Sequence, residues 1–279
     1  MAEKETIHEP KNMIEATPEE IEKLNEKIES EKDKEKVAEF EEENRKDRVK
    51  MSREERKAFL EAEEERKSLE SWAPKTEVGK EVKSGKIKDI DSILNSGKKI
   101  LEPQIMDSLL KLEKDLVLIG QFKGKFGGGK RRAWRQTQKK TQEGNVLSFS
   151  CMAIVGDKKG HVGIGMGKAK ETLPSRVKAL RNAKLNLIKV HLGFESPQDT
   201  LSDPHTVPFV VEGKCGSVKV KLIPAPRGTG LVIGDEAKKI LKLAGVKDVY
   251  GVTKGHTRTT FNLARACIEA LRKTDEELI

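Results

Sequence analysis

The segment His161-Val162-Gly163-Ile164-Gly165-Met166-Gly167 is the most informative stretch of the sequence for the fold, because glycine occupies every second position from 163 to 167. Alternate residues of a β-strand lie on one face, so one face of this strand carries no side chains. A bare face predicts close approach by another element. Upstream, Val146 to Val155 has strand composition, and Gly156-Asp157-Lys158-Lys159-Gly160 is typical of a turn. We therefore predict two antiparallel strands joined by this turn.

A helix is predicted after the glycine-rich strand, from about Pro174 to Val190. Successive helical residues are about 100° apart, and this spacing places several apolar residues on one stripe. They are Leu173, Val177, Leu180, Ala183, Leu187 and Val190. The stripe predicts the face that packs against the sheet. Strands followed by a helix predict a small α+β domain.

Residues 206–279 have the same mixed character. Three segments have strand composition: Val207 to Val211, Ser217 to Ile223 and Val246 to Val252. Two segments are typical of helices: Asp235 to Ala244, closed by Gly245, and Thr259 to Arg272. The inward residues expected in the last helix are Leu263, Ala266, Cys267, Ala270 and Leu271. A second α+β domain is therefore predicted.

Charge divides the chain into two parts. Residues 1–70 carry 16 Lys+Arg and 24 Asp+Glu, whereas residues 71–279 carry 39 and 22. The capping sequence Thr17-Pro18-Glu19-Glu20 and the charged run to about Leu69, which lacks Gly and Pro, predict a helical extension. Its apolar residues are too sparse for a coiled coil. A solvated or partly ordered arm and a helix that folds on a partner both remain open.

These patterns divide the chain into four segments. Residues 1–70 form the acidic, helical extension, and residues 71–118 form a linker region. Short helices are expected in the linker from Asp89 to Asn95 and from Pro103 onward, and Leu116 to Ile119 could be a strand. The first domain is assigned to 119–192 and the C-terminal α+β domain to 193–279.

The basic body predicts a polyanionic partner. Between Leu116 and Gln142 there is no acidic residue, and the basic residues there are Lys123, Lys125, Lys130, Arg131, Arg132, Arg135, Lys139 and Lys140. We therefore expect these eight charges to be uncompensated, and like charges this close repel one another unless a polyanion neutralises them. The glycines bring backbone amides near phosphates, and Trp134 could stack on a base or ribose. RNA binding is therefore favoured over a basic loop without a defined partner.

Other basic residues are expected to extend this surface. Lys168 and Lys170 precede the predicted helix, whose positive N-terminal end attracts phosphate. Arg176, Arg181 and Lys184 follow along that helix, where a merely solvated face is the alternative. In the second domain, two loops at 224–230 and 255–260 are expected to present Arg227, His256 and Arg258 to phosphates.

Several other function classes find little support. Gly124 to Lys130 matches the first seven positions of a Walker A loop, but Arg131 stands where a magnesium-binding Ser or Thr is needed. The five histidines have no metal-ligand spacing with the cysteines, no Gly-x-Ser-x-Gly elbow occurs, and the acidic residues of the body are scattered. We therefore expect no catalytic residue, metal or cofactor. We expect no membrane contact, since no stretch approaches about 20 apolar residues and the acidic start lacks signal-peptide features.

Three cysteines, Cys151, Cys215 and Cys267, are expected to be buried, reduced thiols of a cytosolic protein.

Six blocks occur together in an order that is far more specific than any single glycine motif. They are Trp72 to Thr76, Gly160 to Glu171, Ala183 to Ile188, Val211 to Val218, Leu222 to Gly230 and Gly255 to Thr260. On these blocks the chain resembles the archaeal form of the small-subunit ribosomal protein S five family, over roughly Trp72 to Lys273. The extension at 1–70 is not part of that pattern.

The resemblance implies a fold and a function. It implies a double-stranded-RNA-binding-like domain at about 120–190 and a second domain of the split βαβ kind shared with translation factors and some kinases. It also implies a non-enzymatic constituent of the cytoplasmic small ribosomal subunit, which binds ribosomal RNA and contributes to subunit assembly. Arg131 to Lys140, with the turn Glu143-Gly144-Asn145, would contribute to decoding accuracy and to unwinding of incoming mRNA.

Partners follow from the same resemblance. The family lies beside the channel through which mRNA enters, next to ribosomal proteins S four, S three and S eight. Many archaeal relatives have a cysteine cluster before the Pro-His of the second domain, whereas residues 193–205 contain none, which argues against a metal there. An RNA-modifying enzyme, a nucleotide-dependent switch and a free double-stranded-RNA binder are the alternatives.

Overall fold

The computed structural model describes residues 69–121, 131–196 and 203–276, together with 63, 66 and 67. The chain divides into two compact units, residues 1–66 and 67–279. Nearly all of the first unit, and with it most of the predicted helical extension, lies outside the described residues. The fold below is that of the second unit.

Three short helices precede the first sheet: α1 (Glu77–Lys83), α2 (Ile90–Asn95) and α3 (Pro103–Leu109). The predictions of α2 and α3 are confirmed, whereas α1 was not expected. The carboxylate of Glu102 ties this region together, because it accepts a 2.7 Å hydrogen bond from Trp72 Nε1 and others from the amides of Lys75 and Thr76. Buried apolar residues of all three helices pack against the first sheet and against the helix at Thr172–Leu185.

The first sheet contains the two strands that the glycine pattern predicted. Its strands are β1 (Glu113–Leu116), β2 (Trp134–Thr141), β3 (Gly144–Gly156), β4 (His161–Ala169) and β5 (Leu187–Lys189). The order is β1-β3-β4-β5, β2 also pairs with β3, and all pairs are antiparallel. The predicted β3–β4 pair and its turn are confirmed. The first strand lies three residues earlier than the expected start at Leu116.

The bare face of β4 is covered by helix α4 (Thr172–Leu185), as the alternate glycines predicted. A Cβ atom added at Gly165 would lie less than 3.0 Å from Ala183 N and Ala179 O. One at Gly167 would meet Ser175 O in the same way. The helix backbone therefore packs directly on the strand backbone, an approach that only glycine permits.

The buried face of α4 differs from the predicted apolar stripe. Its buried residues are Ser175, Ala179, Ala183 and Lys184, while Leu173 and Val177 are 68% and 65% exposed. The physical reason is the short distance between helix and strand, which leaves room only for small side chains. The helix also ends at Leu185, because Leu187 belongs to β5.

The second sheet and its helices consist of β6 (Val211–Cys215), β7 (Val218–Pro224), β8 (Leu231–Val232), α5 (Asp235–Ala244), β9 (Val249–Lys254) and α6 (Thr260–Glu276). The order of the strands in the sheet is β6-β7-β9-β8. Three strands are antiparallel and β8 is parallel to β9. The bounds of α5 are confirmed, and Gly245 closes it at φ 95°. All five inward residues expected in α6 are buried. The first of the three strands, predicted at Val207 to Val211, is displaced along the chain. The observed strand, β6, begins at Val211, the last residue of the predicted segment.

Helix α5 joins the two sheets. Buried residues of β3 and β4 belong to the same apolar cluster as Ile240 and Leu241 of α5. The amides of Lys158 and Gly160, in the β3–β4 turn, donate hydrogen bonds of 2.9 and 3.1 Å to the carbonyls of Leu243 and Ala244. These carbonyls lie at the end of α5, where helical partners are missing. The α+β class is confirmed, while the boundaries at 118/119 and 192/193 stay predictions.

The cysteine prediction holds in part. All three cysteines are free; Cys151 and Cys267 are buried and Cys215 is partly exposed. Burial raises the pKa of the Cys267 thiol to about 12, so this thiol is protonated and unreactive at neutral pH.

His161 connects the first sheet to the linker helices. Its Nδ1 lies 2.7 Å from Asp157 Oδ2 and its Nε2 lies 2.9 Å from Asp91 Oδ1 of α2. Burial by itself would lower the pKa of His161, but the hydrogen bonds to the two carboxylates outweigh burial and raise it. Lys189 Nζ completes the cluster at 3.2 Å from Asp91.

Gly165→Ala tests the backbone contact between β4 and α4. We expect a loss of about 3 kcal/mol or more in unfolding free energy, because backbone atoms cannot move aside for a methyl group. Chemical denaturation followed by circular dichroism measures it. Gly234→Ala is the matched control, since a Cβ there meets nothing within 4 Å and the glycine has φ −61°. Equal losses in the two variants would contradict the close packing.

His161→Asn tests the ionic cluster. A raised folded-state pKa stabilises the fold at pH values below the unfolded pKa of about 6.5, and this contribution is lost as pH rises through the folded pKa. The unfolding free energy of the natural protein should therefore exceed that of the variant most at about pH 6 and less at about pH 9. Denaturation at both pH values measures the difference, and a gap that widens with pH would refute the assignment.

Candidate nucleic-acid interface

The hairpin formed by β2 and β3 projects beyond the core. Residues 135–140 of β2 are all exposed, as are residues 144–147 of the opposite strand. Burial begins only where β3 meets β4, and from Ser150 to Gly156 the strand is buried. The turn is held by a 2.8 Å hydrogen bond from Thr141 Oγ1 to the Gly144 carbonyl. The outer half of the hairpin is thus a two-stranded ribbon that faces solvent on both sides.

Basic side chains occupy both faces of this ribbon. Alternation along β2 places Arg135 and Lys139 on one face and Lys140 on the other. All three are exposed. A polyanion can therefore contact the ribbon from either side.

The base of the hairpin is anchored to α5. Arg131 Nη1 lies 3.1 Å from Glu236 Oε1, and both side chains are partly buried. The amide of Gly120 donates a 2.8 Å hydrogen bond to the Arg132 carbonyl. The prediction that the charges of this stretch are uncompensated is therefore wrong for Arg131. Its partner is 105 residues away, so a local count of acidic residues missed it.

Trp134 lies half-buried beside two guanidinium groups. The Cζ atoms of Arg132 and Arg176 are 5.7 and 5.5 Å from its ring centroid, within the range of cation–π attraction. The buried Nε of Arg176 has no hydrogen-bond partner among the described residues. The ring thus holds two arginines at the root of the hairpin, whereas the sequence suggested that it stacks on a base.

The start of α4 adds two lysines to the same part of the molecule. Lys168 lies opposite Ser150 of β3, and Lys170 precedes the helix; both are exposed. The helix begins at Thr172, and Arg181 is exposed further along it. Unpaired amides at a helix N-terminus and nearby lysines both favour an anionic ligand.

Lys184 does not belong to this surface. The residue is only 9% exposed, and its Nζ lies 2.6 Å from Asp107 Oδ1 of α3. Its charge is therefore compensated inside the protein, where it joins α4 to the linker helices. The prediction that Lys184 binds RNA therefore gains no support from its surroundings.

Two loops of the second domain present exposed basic residues. Arg227 is exposed and donates a 3.3 Å hydrogen bond to the Asp203 carbonyl. His256 and Arg258 are exposed in the loop before α6. Arg258 lines a cleft together with Arg131 and Glu236, so this loop meets the base of the hairpin; Arg227 and His256 do not line that cleft.

Part of the predicted site lies outside the described residues, namely Lys123, Lys125 and Lys130 with the glycines between them. Within the described ranges, no group of three or more His, Cys, Asp or Glu side chains is arranged to hold a metal ion. Over the same ranges, no helix is long and apolar enough to cross a bilayer.

Sequence reasoning missed one group of basic residues. Lys219, Lys221 and Lys254 lie on the second sheet, on the face away from the helices. The signal was present in Val218-Lys219-Val220-Lys221-Leu222, whose strict alternation predicts one buried and one basic face.

Comparison with known proteins assigns the family. Two family profiles match: "Ribosomal protein S5, N-terminal domain" over residues 133–191 and "Ribosomal protein S5, C-terminal domain" over residues 213–277. The relatives below carry the name small ribosomal subunit protein uS5. One from Nanoarchaeum equitans is 47% identical over 207 residues, which are 74% of this chain and 89% of the relative. One from Methanococcus maripaludis is 44% identical over 218 residues, 78% of this chain and 89% of the relative.

A third relative, from Aeropyrum pernix, is 46% identical over 207 residues, 74% of this chain and 88% of the relative. The profiles cover the first sheet from β2 onward and almost all of the second sheet with its helices. In each comparison the aligned residues cover most of both proteins. The chain therefore belongs to the uS5 family of small ribosomal subunit proteins, designated S five above.

Proposed function

We propose that this chain is a non-catalytic, RNA-binding constituent of the small ribosomal subunit, and that it stabilises folded ribosomal RNA by neutralising phosphates. The observation that carries the proposal is the projecting β2–β3 ribbon, which is basic on both faces and anchored at its base by Arg131 and Glu236. Double-stranded A-form RNA is recognised mostly through its shape, its phosphates and its 2′-hydroxyls, so a projecting basic ribbon suits it.

The proposed contact residues form two groups. The first group surrounds the hairpin: Arg132, Arg135, Lys139, Lys140, Lys168, Lys170, Arg176 and Arg181, with Trp134 positioning two of the arginines. The second group lies on loops: Arg227, His256 and Arg258. Lys123, Lys125 and Lys130 join the first group on the sequence alone. Arg131 acts as an anchor, and Lys184 is left out.

Finer aspects of the function rest on the family resemblance. They include a double-stranded-RNA-binding-like first domain, a split βαβ second domain and a location beside the channel through which mRNA enters. The same proposal includes proteins S four, S three and S eight as neighbours, and a contribution to decoding accuracy and to mRNA unwinding. It also includes residence in the cytoplasmic ribosome and a helical structure for residues 1–70. The projecting ribbon supports the part that concerns mRNA, since it reaches beyond the folded core.

A triple substitution in the hairpin, Arg135→Gln with Lys139→Gln and Lys140→Gln, tests the interface. Each phosphate contact releases a counterion, so the slope of log affinity against log salt should fall by about 2 to 3. Filter binding of the full chain to small-subunit ribosomal RNA at several salt concentrations measures this slope.

The matched control removes the same charge elsewhere. Lys238, Lys242 and Lys247 are exposed on or just after α5, and their substitution by Gln should leave affinity and slope nearly unchanged. Circular dichroism checks that both variants fold. If the two triple variants lose affinity equally, net charge and not the hairpin is responsible, and the proposed interface is wrong.

A further inference from the structure

The second sheet has one covered face and one open face. Val218, Val220, Leu222 and Val249 point into the core, where they join buried residues of α5 and α6. The residues that alternate with them point away from both helices. Among these, Tyr250 is 40% and Val252 42% exposed, so no described element covers this side of the sheet.

Strand register arranges the open face into a basic end and an aromatic end. At the basic end, Lys214 pairs with Lys219, which pairs with Lys254. At the other end, Tyr250 lies between Ile223 and Val232. The two ends are four residues apart along β9, a distance of about 13 Å. One ligand that touches both ends must therefore run along the strands.

Charge on the open face is unbalanced. Four lysines, Lys214, Lys219, Lys221 and Lys254, share it with one acidic residue, Glu212. Glu212 pairs with Lys221 at 3.2 Å. Among the described residues, no carboxylate forms a salt bridge with the three lysines of the basic end. Three adjacent ammonium groups repel one another, and a polyanion on the face removes that repulsion.

Tyr250 is the one tyrosine of a chain in which only 4% of residues are aromatic. An exposed aromatic ring on a strand of an open sheet is a platform on which an unpaired base can stack. Ile223 and Val232 are paired with Tyr250 on the two neighbouring strands, so the residues beside the ring are apolar. Neighbouring lysines would then meet the phosphates of the same strand.

We propose that the open face of the second sheet binds a single-stranded stretch of RNA, with a base on Tyr250 and phosphates on Lys219 and Lys254. This inference deepens the proposed function and rests on it, but it concerns a surface separate from the hairpin. A protein partner with an acidic surface is the competing occupant, and the experiment distinguishes the two.

The experiment uses the full chain carrying the hairpin triple substitution, so that the first interface contributes little. A labelled oligouridylate of about ten nucleotides serves as the probe, and fluorescence anisotropy measures its affinity. Stacking contributes enough per base that Tyr250→Ala should weaken binding about tenfold or more. Tyr250→Phe keeps the ring and should bind within about twofold of the parent. Lys219→Gln with Lys254→Gln should lower the salt slope by about 1.4, because each contact with a single strand contributes about 0.7.

Lys238→Gln with Lys242→Gln is the charge-matched control on α5, and thermal unfolding checks that each variant is folded. The proposal is overturned if Tyr250→Ala binds oligouridylate as well as Tyr250→Phe does. If that happens while the hairpin substitutions still weaken ribosomal RNA binding, the proposed function stands and the open face suits an acidic protein surface instead. If the hairpin substitutions have no effect but Tyr250→Ala does, the hairpin proposal alone fails.

Discussion

The direct contact between the backbones of β4 and α4 is the constraint on which the first domain depends. Glycine at 163, 165 and 167 lets the helix approach until only Ser175, Ala179 and Ala183 fit between them. Because the close contact fixes the helix against the strand, it also fixes the helix N-terminus beside Lys168 and Lys170. The larger residues Leu173 and Val177 are consequently turned to solvent. Packing at the glycine face thus determines where Lys168 and Lys170 are presented.

A second level of organisation connects this domain to the other. Helix α5 lies between the two sheets, and its last carbonyls accept hydrogen bonds from the β3–β4 turn. The same helix supplies Glu236, which holds Arg131 at the base of the hairpin. The ribbon therefore projects from a base that both domains support. In the RNA contact proposed for the ribbon, such support would reduce the conformational entropy lost on binding and so favour affinity without further contacts.

Local sequence signals predicted much of this fold. Alternate glycines predicted the close helix, and Asp235 to Ala244 with Gly245 predicted α5 to the residue. The apolar stripe predicted for α4 was right at Ala183 and wrong at Leu173 and Val177. The short distance between helix and strand excludes large side chains, and this distance is a tertiary property that the stripe does not reveal. The roles of Arg131 and Lys184 were missed for the same kind of reason. Their carboxylate partners, Glu236 and Asp107, are distant in sequence, so no local count of charge reveals the pairs.

We propose that the hairpin and the start of α4 face RNA inside the small subunit. Lysine acylation of purified small subunits that contain this chain, followed by mass spectrometry and compared with the free protein, tests this placement. We expect Lys139, Lys140, Lys168 and Lys170 to react readily in the free protein, where they are exposed, and to be protected in the subunit. If these four lysines are acylated equally in both states, the hairpin does not face RNA.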